Sequence, residues 1–246
     1  MNRFRYKALI SVSNKDKLKN LASNLINKDF GIYSTGGTLK YLQNEFPEHH
    51  EHFMQVGEYT GFPEILGGRV KTLHPKIYGG ILSRKSNESH MEEVEKHEID
   101  FLDLVVVNLY PFKETVSKEH KFSDAIENID IGGVSLIRAS AKNFEDVLIL
   151  TNPDDYEDFT ERWNSNSINI DYRKRLASKG FHHVTRYDMQ IAQYLDTENT
   201  VYREYTEVNR LKYGCNPHQK YASINTLNGG KFPFTTLNGQ AGYINY

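Results

Sequence analysis

The chain has 246 residues, 38% of them hydrophobic and 25% charged, with 30 basic against 32 acidic residues and a formal net charge of -2. That length fits one large domain or a domain with an appendage, and the balanced charge gives no basic stripe for a nucleic-acid footprint. The single cysteine, Cys215, excludes an internal disulfide, the apolar run Ala8-Leu9-Ile10 is too short for a signal sequence, and no run approaches the roughly 20 residues of a membrane helix, so a cytoplasmic protein is expected.

Lys7 to Ser13 reads as a short buried strand ending in polar residues. Behind it Leu18, Leu21, Ala22, Leu25 and Ile26 recur at helical spacing, with Ser13 or Asn14 as the N-cap candidate. Gly31 to Thr35 is a second strand, and Gly36-Gly37 turns it into a helix carrying Leu39 and Leu42. After a helical stretch from Met91 to His97, Leu102 to Leu109 is the clearest strand. Its Leu104-Val105-Val106-Val107 core is apolar on both faces, as a parallel central strand requires. Helical stretches at Ser123 to Asn128 and Gly133 to Lys142 lead to a further strand, Asp146 to Thr151. Beyond Asp154 the pattern is helical: Asp154 to Trp163, then Tyr172 to Leu195 with Leu176, Val184, Tyr187, Ile191 and Leu195 on a stripe. Gly180 on that side marks a close helix contact.

Strands alternating with helices predict an α/β fold with a mostly parallel sheet flanked by helices, a helical C-terminal part and a short irregular extension. Residues 1–196 form the expected main domain. Residues 197–246 are too few for a core of their own and are expected to be partly disordered or to lie as an extension on the first domain. In such sheets ligands bind at the carboxyl ends of strands, where Ser11-Val12-Ser13, Ser34-Thr35-Gly36-Gly37-Thr38 and Asn108-Leu109-Tyr110 fall.

The stretch Gly67-Gly68-Arg69-Val70-Lys71-Thr72-Leu73-His74-Pro75-Lys76 sets two cations, a hydroxyl and an imidazole among glycines with little to bury, which suits an anion site better than a structural loop. Thr35 to Thr38 sits at a strand-to-helix turn, where glycines let backbone N–H groups approach a phosphate. The plainer reading is an ordinary tight turn, and the pattern matches neither the P-loop nor the dinucleotide fingerprint. Singly, Tyr110 could be a core aromatic, Asp130 an N-cap beside Gly132-Gly133, and Lys142 a complement to a helix dipole. Together they point to a composite site for a phosphorylated small molecule. No metal is expected: His49-His50 and His182-His183 are sequence neighbours that diverge on a helix, and no Cys/His cluster exists.

Thr60-Gly61-Phe62-Pro63-Glu64 through Gly68–Pro75, then Asn108–Phe112, Asp130–Gly133, Ala141-Lys142-Asn143 and Asn152–Tyr156, resemble in order and spacing the N-terminal domain of the bifunctional purine-biosynthesis family, AICAR formyltransferase/IMP cyclohydrolase. The resemblance implies a methylglyoxal-synthase-like fold and dehydrative closure of 5-formamidoimidazole-4-carboxamide ribotide (FAICAR) to inosine monophosphate, without a cofactor. It places nucleotide binding at Ser13, Asn14 and Lys15, at Thr35, Gly36, Gly37 and Thr38, at Arg69, Val70, Lys71 and Thr72, at Val107 and Asn108, and at Asp130, Ile131 and Gly132. Asn14 stands where the family often has Asp. Lys142 matches the proton-transfer position, while Lys71, Tyr110 and Asp130 are the other candidate catalytic groups.

Lys212–Gln219 resembles the opening motif of the family's formyltransferase domain, with Lys212 in place of the usual Arg, so residues 197–246 read as the start of that domain. Formyl transfer from 10-formyltetrahydrofolate to AICAR is therefore expected to be absent from this chain. A homodimer and a separate formyltransferase chain are the candidate protein partners, with no nucleic-acid or membrane partner. Two other readings share the fold: a methylglyoxal-synthase-type lyase and a non-catalytic nucleotide-binding regulatory module.

Overall fold

A strand that is apolar on both faces is stable only between two layers, and the strands predicted from such runs occupy that position. The computed structural model describes residues 4–216, 218–219, 221–227, 230–231, 233, 238–240 and 242–243. These form two compact units, Met1–Ile191 and Ala192–Tyr246.

In the first unit β1 (Tyr6–Val12) leads to α1 (Leu18–Asn27), β2 (Phe30–Ser34) to α2 (Gly36–Glu45), and β3 (Phe53–Gln55) to α3 (Val56–Thr60). Helices α4 (Pro75–Leu82) and α5 (Glu88–Lys96) precede β4 (Leu104–Asn108). Helices α6 (Phe112–Val116), α7 (Phe122–Glu127) and α8 (Gly132–Lys142) then lead to β5 (Leu148–Leu150), followed by α9 (Tyr156–Asn164) and α10 (Ile170–Leu195), whose last four residues belong to the second unit. The strands form one sheet in the order β3-β2-β1-β4-β5, and every pairing is parallel. Central β1 and β4 are held in register by pairs such as Ala8↔Leu104 and Ile10↔Val106, all four side chains fully buried. All five residues of β2 and of β4 are buried, as sandwiching between helical layers demands.

Two expectations change. Helix α1 begins at Leu18, preceded by Lys17 in a left-handed conformation, and neither Ser13 nor Asn14 caps it. Their backbone N–H groups both donate to Asn108 Oδ1, and Asn14 Oδ1 accepts from the Asp16 N–H in a local turn. Helix α4 carries Gly79-Gly80, a pair with poor helical propensity that hides it from periodicity. The packing explains those glycines: a Cβ on Gly80 would stand 2.2 Å from the Asp100 carbonyl oxygen. The predicted close contact at Gly180 is present, since a Cβ there would meet Ile137 of α8 at 3.2 Å.

The second unit adds a small antiparallel sheet to the expected extension. Strands β6 (Tyr205–Arg210) and β7 (Ser223–Leu227) pair antiparallel, with an irregularity between Glu207 and Asn209. Their β-branched residues favour a pleated ribbon, but few of their side chains are buried, so no apolar alternation announces them. The Lys212–Gln219 motif and the Leu237-Asn238-Gly239 run lie partly outside the described residues. Among the described residues no helix is long and apolar enough to cross a membrane.

Candidate active site

Strand order decides where a cleft can open. The chain runs outward from β1 to β2 and β3, then returns to the other side of β1 with β4, so the connections leave β1 and β4 in opposite directions. A crevice forms at the carboxyl ends of such a pair. Here it is a cleft of about 640 Å³, lined by Ser11-Val12-Ser13 after β1, Thr35–Thr38 after β2, and Asn108 and Tyr110 after β4. The 67–73 loop and the Ile126–Gly133 segment complete the wall.

The turn after β2 is built for an anion. Thr38 is buried, and its hydroxyl both accepts from the Val12 N–H at 3.2 Å and donates to the Val12 carbonyl at 2.9 Å, tying the first turn of α2 to the end of β1. No side chain caps α2, which leaves its first-turn N–H groups at Gly36 and Gly37 for a bound anion. Gly36 takes φ +48, and a Cβ there would lie 3.8 Å from Lys71 Nζ, so the lysine ammonium stands over this turn.

Both cations of the 67–73 loop are already paired. Lys71 Nζ meets Glu64 Oε1 at 3.0 Å. The Arg69 guanidinium makes a two-pronged pair with Glu127, its Nε 3.2 Å from Oε2. That contact raises the Arg69 pKa and lowers that of Glu127. Both side chains are well exposed, so the pair is screened and exchangeable rather than structural.

Asp130 stands just before α8. Its Oδ1 accepts the Gly133 N–H at 2.7 Å, the N-terminal role that the plainer sequence reading allowed. Its own N–H donates to Tyr187 Oη at 2.7 Å, and that hydroxyl donates to the Asn128 carbonyl at 3.1 Å. Burial pushes the Asp130 carboxyl above its ordinary value, against the opposing pull of the Gly133 and Tyr110 N–H groups and the Lys71 charge. Thr72 is buried with its hydroxyl against Gly132, where a Cβ would approach it to 3.0 Å.

Of the residues expected from sequence, Ser13, Lys15, Thr35, Gly36, Gly37, Thr38, Arg69, Lys71, Thr72, Asn108, Tyr110, Asp130, Ile131 and Gly132 line this one cleft. Asn14, Val70, Val107 and Lys142 do not. Val107 is fully buried in the sheet, and Val70 is turned into a bridge with Ile65. Lys142 is exposed at the opposite end of α8 from Gly132, about 15 Å along the axis at ~1.5 Å per residue, so the structure does not bring it to Asp130. The sequence reading missed the counter-ions Glu64 and Glu127, because an ion pair between distant loops leaves no local spacing. Among the described residues the one His/Cys/Asp/Glu group of metal-holding geometry, His49, Glu51 and His52, lies outside the cleft.

Comparison with known proteins agrees with this architecture. The MGS-like domain profile matches residues 17–135, and the AICARFT/IMPCHase bienzyme profile matches residues 140–246. The bifunctional purine biosynthesis protein PurH of Prochlorococcus marinus (strain NATL1A) is 45% identical over 220 residues, which is 87% of this chain and 42% of that protein. The PurH protein of Oceanobacillus iheyensis is 48% identical over 223 residues, 88% of this chain and 43% of that protein. The chain thus spans less than half the length of these curated relatives. A solved structure described as the crystal structure of ForH is 31% identical with a TM-score of 0.69, covering 80% of this chain and 100% of that one. With the two profiles running almost end to end along it, the chain belongs to the AICARFT/IMPCHase family of bifunctional purine biosynthesis proteins.

Proposed function

We propose that the cleft binds FAICAR and closes it to inosine monophosphate with loss of water, the IMP cyclohydrolase reaction. One observation carries this reading: a half-buried carboxyl with a raised pKa, Asp130, shares a cleft with an ammonium, Lys71, that stands over an uncapped helix start. The helix start holds the ribotide phosphate, with Lys15 and Arg69 as further cations on the wall.

The carboxamide nitrogen of FAICAR is a weak nucleophile, and the formyl oxygen gains negative charge as the ring closes. Alignment of the two groups supplies much of the rate, up to ~7–11 kcal/mol in favourable intramolecular cases. Asp130 takes the proton leaving the carboxamide nitrogen, and its raised pKa makes it a stronger base than an exposed aspartate. Lys71 and nearby backbone N–H groups stabilise the oxyanion, which takes up the proton held by Asp130. The resulting hydroxyl departs as water with the proton lost from the formamide nitrogen as the ring C=N bond forms. No electron transfer occurs, so the proposed step uses no cofactor.

Incubation of the protein with FAICAR, followed by absorbance, should show inosine monophosphate accumulating, and Asp130→Asn should suppress it. Inosine monophosphate should also raise the melting temperature while inosine does not. No product from a folded protein, or equal shifts from nucleoside and nucleotide, overturns the reading. The same assay decides the role that the resemblance implies for Lys142: turnover of Lys142→Ala within a few-fold of wild type removes it from the mechanism.

A further inference from the structure

The buried stripe of α10 ends on a residue with a polar tip. Tyr172, Leu176, Ala177, Gly180, Val184 and Tyr187 are its buried residues, and the Tyr187 ring packs edge-on against Phe112, 6.3 Å between centroids. The stripe accounts for the ring but not for the hydroxyl, since a buried phenol needs partners for its oxygen and its proton. Both partners come from the segment between α7 and α8. Tyr187 Oη accepts the Asp130 N–H at 2.7 Å and donates to the Asn128 carbonyl at 3.1 Å. Burial pushes this phenol up to about 12, so it stays protonated at neutral pH and carries no proton itself. Nor does Tyr187 line the cleft.

The grip falls on the residue that the chemistry depends on. Glu127 and Ile131, to either side, are exposed, so the segment runs over the surface and is tied from beneath by α10. The Asp130 carboxyl is pinned at its other end by the Gly133 N–H at 2.7 Å and by the Tyr110 N–H. Backbone and carboxyl are thus fixed separately. Gly133 and Tyr110 hold the oxygens, while the phenol sets the peptide from which the side chain leaves. Ring closure is sensitive to such placement, because misplacing a reacting group by about 1 Å can cost ~10²-fold in rate.

We propose that Tyr187 is a positioning residue for the ring closure, its hydroxyl fixing the 128–130 backbone so that the Asp130 carboxyl stands where the carboxamide proton departs. This role rests on the cyclohydrolase reading and adds to it a residue that never touches substrate. The phosphate site at the start of α2 makes no use of the phenol, so ground-state binding should survive its loss.

The test is Tyr187→Phe, which keeps the ring against Phe112 and removes both hydrogen bonds. With FAICAR, kcat should fall on the order of 10–10²-fold while KM changes less than about threefold. Inosine monophosphate should raise the melting temperature of the variant as much as that of wild type. In an Asp130→Asn background the same substitution should cost less than about twofold, because a hydroxyl that acts through the carboxylate then has nothing to position. A kcat within about twofold of wild type, or an equal loss in both backgrounds, would overturn the role and leave the cyclohydrolase reading standing. A lost response to inosine monophosphate would do so too, since the whole site would then have collapsed. No turnover by folded wild type would remove both. Should Tyr187→Phe not fold, Tyr187→difluorotyrosine keeps the ring and its hydroxyl but weakens the oxygen as an acceptor. A several-fold fall in kcat there supports the role, and an unchanged kcat overturns it.

Discussion

The side-chain amide of Asn108 grips both polar groups of Asn14: its Oδ1 accepts the Asn14 N–H at 2.9 Å, and its Nδ2 donates to the Asn14 carbonyl at 2.8 Å. The same Oδ1 accepts the Ser13 N–H at 2.7 Å. The last residue of β4 thus pairs with the loop leaving β1 as a strand would, and it sets the lip of the cleft. Asn108→Ala leaves three backbone groups without their partner, each costing up to ~1–3 kcal/mol if water cannot replace it. Denaturant unfolding should show a loss within that range or above it, and KM for FAICAR should rise more than kcat falls.

Asp130→Asn separates chemistry from stability. A folded-state pKa above the unfolded value means that the fold prefers the protonated acid. That contribution to stability is complete below the unfolded pKa and is lost as pH rises through the folded one. At neutral pH the ionised Asp130 is thus a burden that Asn relieves, while an amide oxygen still accepts from Gly133. The variant should melt no lower than wild type at pH 7, yet turn over ~10²–10⁴-fold more slowly. In wild type the acid limb of kcat/KM should lie above the range of an ordinary aspartate.

How much of this was legible in sequence depends on the range of the interaction. Strands β1, β2 and β4 follow from unbroken apolar runs, and the cleft from polar residues at their ends, because both are written in neighbouring positions. The state of Asp130 is not, since it rests on burial beneath residues contributed from elsewhere, including the Tyr187 hydroxyl 57 positions away. Asn108 was read as a ligand contact from its motif. It does line the cleft, and that its amide also holds the backbone of Ser13 and Asn14 only the fold could reveal. For Lys142 the motif gave a role but not a distance, and the length of α8 sets that distance.

Gly68 and Gly61 provide a matched comparison. Both have positive φ, +93 and +71, so a side chain strains the backbone at either position. A Cβ at Gly61 meets nothing within 4 Å, whereas at Gly68 it would lie 2.6 Å from Glu64 Oε1 and 2.9 Å from Lys71 Cε. Each alanine variant should lose ~1–3 kcal/mol from backbone strain. Only Gly68→Ala should also cut kcat/KM severely, because it displaces the Lys71–Glu64 pair. Equal kinetic losses in the two variants would show that the pair's position is unimportant.

His183 on α10 predicts a pH dependence unrelated to catalysis. Its Nε2 is buried without a hydrogen-bond partner among the described residues, and burial, with a smaller push from the Arg186 charge, holds the imidazole below its ordinary value. A depressed folded-state pKa gives stability that is present above the unfolded pKa, about 6.5, and lost as pH falls toward the folded one. Between pH 7.5 and 5.5 the melting temperature of wild type should therefore fall more than that of His183→Gln. Parallel curves would mean that the imidazole is solvated.

The pairing of β1 with β4 also governs when the cleft can come into being. The Lys7 N–H donates to Asp103 Oδ2, a contact that closes 96 residues of chain, next to the register that brings Val12 beside Asn108. Closing so long a loop costs entropy before any strand contact repays it, which makes this step late and slow compared with helix formation. A nascent chain that has reached β3 holds the glycine turn but has no opposite wall. The site and the central sheet thus depend on the same closure, and a shorter stretch of the folding chain holds the glycine turn without the wall that faces it.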